Sequence, residues 1–478
     1  MSHEWTPKPQ LPSPVRSSGV LGWLRENLFS SVGNSLLTVI GLALLVSAIV
    51  PFVQWALLDA SWVGESRQIC DDAVANGKLG ACWVFINVRM DVFLYGFYPE
   101  AEYWRVNLTM LVLAFLLLPI LLPDFFKGNS RRPIYGLVGL VAVGILFGLV
   151  PMAVFGIFAV LPLALGWLSK QGSIPFVSAN GVPAVLTRLG LAALVGAAGY
   201  HVCGLSGGAD VASYVGWVTG VVCLAFLQIR SLSVAGWQWV FLFTVFPVFA
   251  FIMLVGGAFG LAHVETHYWG GLFLTLVVAG TGMGTALPIG ILLALGRRSD
   301  LPVIRVVCVS FIEFARGVPL VSVLFMASVM FPLFLPENVT FDKLLRALIG
   351  IAFFYAAYMA EVVRGGLQAI PAGQYEAAKA LGWPYWRMMS MVILPQTLRL
   401  VIPGLANNFL SLLKDTTLVA VIGLFDLLGI AKAAMADSDW LGYTKESYIF
   451  AALVFWIFCF GISRYCVYLE KKYHTSYH

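Results

Sequence analysis

The chain contains about twelve stretches of roughly 20 mostly apolar residues, each long enough to cross a bilayer as a helix. They lie near 34–57, 106–123, 134–150, 152–168, 185–203, 212–229, 239–261, 269–295, 303–334, 345–364, 399–428 and 447–467. In hydrocarbon a segment has no water to satisfy its backbone, so runs of this kind fold as helices that pack on one another. Composition points the same way: of 478 residues, 60% are hydrophobic and 11% charged, against roughly 25% charged in a soluble domain. Too few charges remain to clothe a soluble enzyme, a secreted disulfide scaffold or a disordered regulator. The expected fold is an all-α integral membrane protein with about twelve transmembrane helices. The run through 134–168 is broken at Pro151 and is read as a helical hairpin, because one helix of that length would far exceed the hydrocarbon thickness.

Charge sets the orientation. With residues 1–33 as a cytoplasmic tail, about 19 of the 29 Lys and Arg fall in cytoplasmic segments, among them Arg297, Arg298, Arg364, Lys379, Arg387, Lys471 and Lys472. Both termini are then cytoplasmic. The net charge of +5 comes without a basic run, so it reports membrane orientation and not nucleic-acid binding. The polar, Pro-rich start lacks the pattern of a cleavable signal. One large outer loop, 58–104, is acidic and holds Cys70 and Cys82, which in an oxidising periplasm can close a disulfide and otherwise stay as thiols. The remaining cysteines lie in or beside apolar runs. The spans of 34–265 are plain; from 266 onward charges enter the spans, so function is expected to concentrate there.

Residues 365–399 are too polar to span. Pro371 can open a short helix, Glu376–Leu381 favours one, Gly382 sits where it would end and Pro384 blocks continuation. A second short helix runs to Leu394 and is expected to stop at Pro395. Ala377, Ala378 and Ala380 leave a surface that another protein can approach closely, with Glu376 and Lys379 as charged contacts.

Here the chain resembles the permeases of ABC importers. Glu376-Ala377-Ala378, Gly382 and Leu394-Pro395 match the family's "EAA" coupling loop, with Val392 where the family usually has Ile. The surrounding IPAGQ, ALG and ILPQ are similar to the polar amino acid branch, as are Glu313-Phe-Ala-Arg316-Gly317-Val-Pro319, Glu361-Val-Val-Arg364-Gly365-Gly366 and Lys414-Asp-Thr-Thr-Leu418. The earlier NLFSSVGNSLLT and GACWVFINV look like the general L-amino acid permeases. The resemblance implies a five-helix permease core over 266–470, and a transport subunit that catalyses nothing and binds no cofactor. ATP and Mg would sit on separate ABC ATPase subunits gripping Glu376, Ala377, Ala378, Lys379, Gly382, Leu394 and Pro395. A second homologous permease or a copy of this chain, a periplasmic amino-acid-binding protein and the lipid bilayer of a bacterial inner membrane complete the expected set, with no nucleic acid. No Gly-x4-Gly-Lys-Ser/Thr phosphate loop occurs, and Gly280, Gly282 and Gly284 lie within a span, where close helix packing is their ordinary use.

Charges inside spans cost about 2.5–3.5 kcal/mol each on insertion scales and need a partner or a function. Glu313 and Arg316, and Lys414 and Asp415, are candidates for a substrate path or gate, their cations meeting a carboxylate and their anions an ammonium group. The alternative is that each pair neutralises itself and fixes packing. Glu361 and Arg364 read as structural, and Gly317/Pro319 and Gly365/Gly366 as hinges where helix continuity is weakest. Rival signals are weaker. Gly204-Leu-Ser206-Gly207, with His201 and His263, resembles an intramembrane serine protease but lacks a His inside a span. His263-Val-Glu265-Thr-His267 has zinc-helix spacing with the Glu misplaced, so no metal site is expected. A stand-alone secondary transporter would leave a one-sided coupling loop without a role.

Overall fold

The computed structural model describes residues 20–121 and 234–473, apart from Lys78, 258–260, Leu335 and 337–340. Among the described residues the regular structure is helical, with only isolated β-bridges. In chain order the helices are α1 (Val20–Asn27), α2 (Val32–Val53), α3 (Gln68–Ala75), α4 (Trp83–Val88), α5 (Met90–Tyr95), α6 (Tyr103–Leu121), α7 (Val234–Val255), α8 (Gly271–Arg297) and α9 (Pro302–Gly317). They continue as α10 (Leu320–Phe325), α11 (Lys343–Ala369), α12 (Ala372–Ala380), α13 (Tyr385–Met388), α14 (Leu394–Leu400), α15 (Ile402–Asp415), α16 (Leu427–Met435) and α17 (Thr444–Tyr473). Among the described residues, five segments are long and apolar enough to cross a membrane: Val32–Leu58, α8, α11, Ile402–Ile422 and α17; the bent pair Pro302–Gly317 and Leu320–Phe334 makes a sixth if taken as one span. Helices α6 and α7 stand where the spans near 106–123 and 239–261 are expected. The expected spans at 134–150, 152–168, 185–203 and 212–229, like the Gly204–Gly207 motif, lie outside the described residues.

The chain divides into two compact units, Met1–Arg89 with Met435–Ser447, and Met90–Ala434 with Tyr448–His478. In the first, α2 starts at Ser31, whose hydroxyl accepts the Asn34 N–H at 3.1 Å, and no residue of α2 is buried. Beyond it, Cys70 and Cys82 are joined by a disulfide with their Cα atoms 5.8 Å apart. Gly80 passes so close to the Asp59 carbonyl that an added Cβ would lie 1.9 Å from its oxygen. The Cys82 N–H donates to Glu446 Oε1 at 3.1 Å, Arg89 pairs with Asp437, and Phe85 packs against Trp440 at 5.3 Å between ring centres. The disulfide-containing loop is thus tied to Asp437 and Trp440 and to Glu446 in the first turn of α17.

The second unit is built on α8 and α11. Small residues bring them together: a Cβ on Gly290 would lie 2.6 Å from Met359 Cβ and 2.9 Å from the Ala356 carbonyl oxygen. Gly282 faces Ile351 and Leu412, and Gly284 faces Phe243, whereas Gly280 has nothing within 4 Å of a built Cβ. Leu274, Val278, Leu324, Ile351, Met359 and Leu412 form the shared core.

Three local expectations are corrected. The run 303–334 is not one straight span: α9 and the helix after it meet at 106°. Pro319 excludes the helical region for Val318, which is extended at φ −105° and ψ 138°, so the chain must turn there. Second, α11 runs unbroken through Gly365 and Gly366 to Ala369, so the polar connection begins about five residues later than 365. Gly366 is where the Thr397 and Val401 side chains press closest, 2.9 and 2.4 Å from a built Cβ; packing across the pair holds the helix. Third, Pro395 does not stop the second short helix. A π-helical stretch, Met389–Ile393, precedes it, and Pro395 falls in the first turn of the α-helical segment that follows, where its missing N–H costs little.

Candidate functional site: a charged latch and a surface hairpin

At its C-terminal end, α8 presents Arg297 between two neighbouring helices. Its Nη1 donates to Glu361 Oε1 of α11 at 2.6 Å and to Glu313 Oε1 of α9 at 3.1 Å. Glu361 is the hub. Arg364 donates to its Oε2 at 2.8 and 3.0 Å, and Arg316 lies 3.7 Å from the same oxygen. The Glu361 side chain is 15% exposed, so three guanidinium groups share one largely buried carboxylate. Arg316 also stands over the Tyr358 ring at 5.9 Å. The i, i+3 pair Glu313 and Arg316 therefore does not neutralise itself: each reaches across to another helix. Glu361 and Arg364 do pair with each other. Together these side chains lock the ends of α8, α9 and α11 to one another. Sequence reasoning placed Arg297 only in the cytoplasmic charge balance; its position at the end of an apolar run was the signal for a latch.

The hairpin follows directly. Helix α12 is seated by Ala378, and the second arm by Met388, Met389 and Ile393, all buried in a cluster that includes Ala294, Ile312, Val363 and Leu367. Ala378 thus faces inward and is not part of the free surface expected for the three alanines. Glu376, Ala377, Lys379 and Ala380 are exposed. Gly382 takes φ +70°, a left-handed conformation that glycine adopts without strain, and nothing lies within 4 Å of a Cβ built on it. Leu381 and Trp386 stand out beside it, 73% and 66% exposed. Leu394 and Pro395 are half-buried in the second arm. The hairpin is bolted to the latch region by Arg298, whose Nη1 donates to the Leu367 carbonyl at 3.2 Å and to Tyr375 Oη at 3.0 Å. Two hydrogen bonds and a packed cluster thus join α12 to the ends of α8 and α11.

The third group lies on α15. Asp415 Oδ2 accepts from Tyr355 Oη of α11 at 2.6 Å. Lys414 is exposed and its side chain makes no ion pair or hydrogen bond among the described residues, so it does not pair with Asp415; its carbonyl accepts from Thr417 Oγ1 at 2.9 Å. In the turn beyond this span, Asp426 is fully buried and its Oδ1 accepts the Gly429 N–H at 2.9 Å, capping α16. Burial pushes its carboxyl up to about 6. The Asp-x-x-Gly spacing before an apolar run was the sign of this cap. His263, Glu265 and His267 do not form a helical face: Thr266–Tyr268 is a single 3-10 turn, and His267 Nδ1 lies 2.9 Å from Glu265 Oε2.

Residues 286–475 match the family described as the inner membrane component of binding-protein-dependent transport systems. The chain is 40% identical over 468 residues to an inner membrane amino-acid ABC transporter permease protein, YhdY, of Escherichia coli K12, covering 98% of this chain and 97% of the relative. The chain belongs to the amino-acid ABC transporter permeases. A second long relative, the glutamate/glutamine/aspartate/asparagine transport system permease protein BztC of Rhodobacter capsulatus, is 38% identical over 96% of this chain and 95% of its own length. A probable amino-acid ABC transporter permease protein of Bacillus subtilis, YckA, is 36% identical over 204 residues, which is 42% of this chain but 87% of that protein. YckA thus matches less than half of this chain along most of its own length, whereas YhdY and BztC match it along nearly their whole length. This permease is a multi-pass inner-membrane transport subunit.

Proposed function

We propose that this permease forms one side of the translocation path of an ATP-driven importer of amino acids, and that separate ATPase subunits drive it through the 370–400 hairpin. The observation that carries this reading is the hairpin itself: a short helix seated by Ala378 and turned at Gly382, with Glu376, Lys379, Leu381 and Trp386 exposed on its outside. ATP and Mg would be held by that partner. Closure of the ATPases would press on α12, and the Arg298 bonds to Tyr375 and Leu367 would carry the displacement to the latch around Glu361. In this mechanism the Gly317–Pro319 break lets α9 tilt against the segment after it. The path is completed by a second permease or a second copy, and a periplasmic binding protein delivers solute on the side of the disulfide-containing loop. Both termini then lie in the cytoplasm. The name of BztC supports glutamate, aspartate and their amides as substrates.

In membranes carrying the permease with its native partners, uptake of labelled glutamate or glutamine is expected to require ATP. It should stop with orthovanadate and survive a protonophore while ATP is supplied. Uptake that continues without ATP and collapses with the protonophore would mark a stand-alone secondary transporter instead.

A further inference from the structure

We infer that the face of α15 carrying Asn407, Ser411 and Lys414 is a wall of the solute path. There Lys414 receives a carboxylate of the passing amino acid, so that the path itself disfavours cationic amino acids. This rests on the reading of the chain as an amino-acid importer, and it names which charge that path presents.

The three residues are spaced by four and three positions and so share one helical face, and all three are exposed. They occupy a segment, Ile402–Ile422, that is long and apolar enough to span. Lys414 sits at least ~12 Å from either end at 1.5 Å per residue, beyond the reach of its four-carbon stem to the bilayer surface. A polar stripe capped by an ammonium group at that depth is not a lipid-facing surface; it borders water or another polar wall. The neighbouring side chains turn elsewhere: Asn408 Nδ2 points at Met359 Sδ, 3.7 Å away, and Asp415 is held by Tyr355.

The other charged candidates are already occupied. Glu313 is held by Arg297, Glu361 by three guanidinium groups, and Arg316 by Glu361 and the Tyr358 ring. Of the groups that were candidates to meet a zwitterion, Lys414 is therefore the one without a partner among the described residues. Its three N–H donors suit a carboxylate, and the hydroxyl and amide of Ser411 and Asn407 offer neutral contacts along the same face. No carboxylate stands free on this face to draw in a cationic side chain.

Two measurements test this. In a background with Cys203, Cys223, Cys308, Cys459 and Cys466 replaced by Ser, Ser411→Cys is treated in native membranes with the anionic reagent methanethiosulfonate ethylsulfonate and with its trimethylammonium counterpart. Ile349→Cys, an exposed apolar position on α11, is the control. Ser411→Cys should react and Ile349→Cys should not. Adding Lys414→Gln should slow the anionic reagent by about 10-fold relative to the cationic one, the effect of one unit charge a few ångströms away in a partly aqueous site. In uptake assays Lys414→Gln should lower glutamate transport by about 10- to 100-fold, the worth of one charge-assisted hydrogen bond, and Lys414→Arg should restore most of it. An unreactive Ser411→Cys, a reagent preference indifferent to residue 414, or normal glutamate uptake by Lys414→Gln would overturn the proposal. Failure of the unaltered permease and its partners to move any amino acid would strike the importer reading instead, and the thiol chemistry would still decide the face and its charge.

Discussion

Glu361→Ala is expected to be the most damaging single substitution in the core. It leaves Arg297, Arg316 and Arg364 crowded around an empty position, with Glu313 alone to answer them. Losing the charge-assisted hydrogen bonds to this carboxylate should cost about 1.5–3 kcal/mol, less than in a fully buried pair, because the three guanidinium groups are 24–38% exposed and water can reach them. The effect should appear as a lower melting temperature in detergent and as loss of uptake. The geometry also orders the partners. Arg297, bound at 2.6 Å and bridging three helices, should matter most, and Arg364 next. Arg316, at 3.7 Å with its side chain 38% exposed, is worth little as an ion pair. Wild-type melting and uptake in Glu361→Ala would show that the cluster is ornament on an already stable helix packing.

The second large effect is expected at the hairpin, where substitutions separate folding from coupling. The Glu376 side chain makes no hydrogen bond or ion pair among the described residues, so Glu376→Lys breaks none. It should leave the protein inserted and its melting unchanged, yet abolish uptake by reversing the charge offered to the ATPase. At Gly382 the argument is conformational. Nothing crowds a built Cβ, so a side chain costs backbone strain of roughly 1–2 kcal/mol at φ +70° and no clash. Gly382→Val should therefore abolish uptake by reshaping the turn, whereas Gly382→Asn, which tolerates the left-handed region, should retain most of it. Equal uptake by the valine and asparagine variants would mean that the turn's shape is irrelevant to coupling.

Much of this architecture was readable from residue patterns, and the parts that were not share a cause. Long apolar runs place helices because the backbone has no alternative in hydrocarbon; α8, α11 and α17 stand where such runs predict them. Gly382 and the prolines at 371 and 384 mark the hairpin because their allowed backbone angles are few. Spacing within one helix, however, says only which side chains share a face. Glu313 and Arg316 share one, and still each prefers a partner on another helix, since Arg297 arrives there at the end of α8. Gly365 and Gly366 look like a weak point in isolation, and the packing of Thr397 and Val401 onto Gly366 removes the weakness. Pro395 looks like a stop, and the π-helical turn before it leaves it in the first turn of a new α-helical segment, where its missing N–H costs little. The 106° bend was half legible: Gly317 and Pro319 signalled a break, and only the path of the next helix sets its angle. In each case local chemistry is right about the preference, and tertiary contacts decide whether it is exercised.

Whether a separate ATPase drives this permease through its hairpin can be read by purifying a tagged copy from its native host in mild detergent. Bound proteins are then identified with and without crosslinking from Glu376→Cys. A stoichiometric ABC ATPase that crosslinks to position 376 is expected. A second permease beside it would give a heteromeric path, and its absence a pair of identical chains. A purified permease that transports amino acids with no ATPase bound, and none captured from position 376, would show that the hairpin is not the site through which transport is driven.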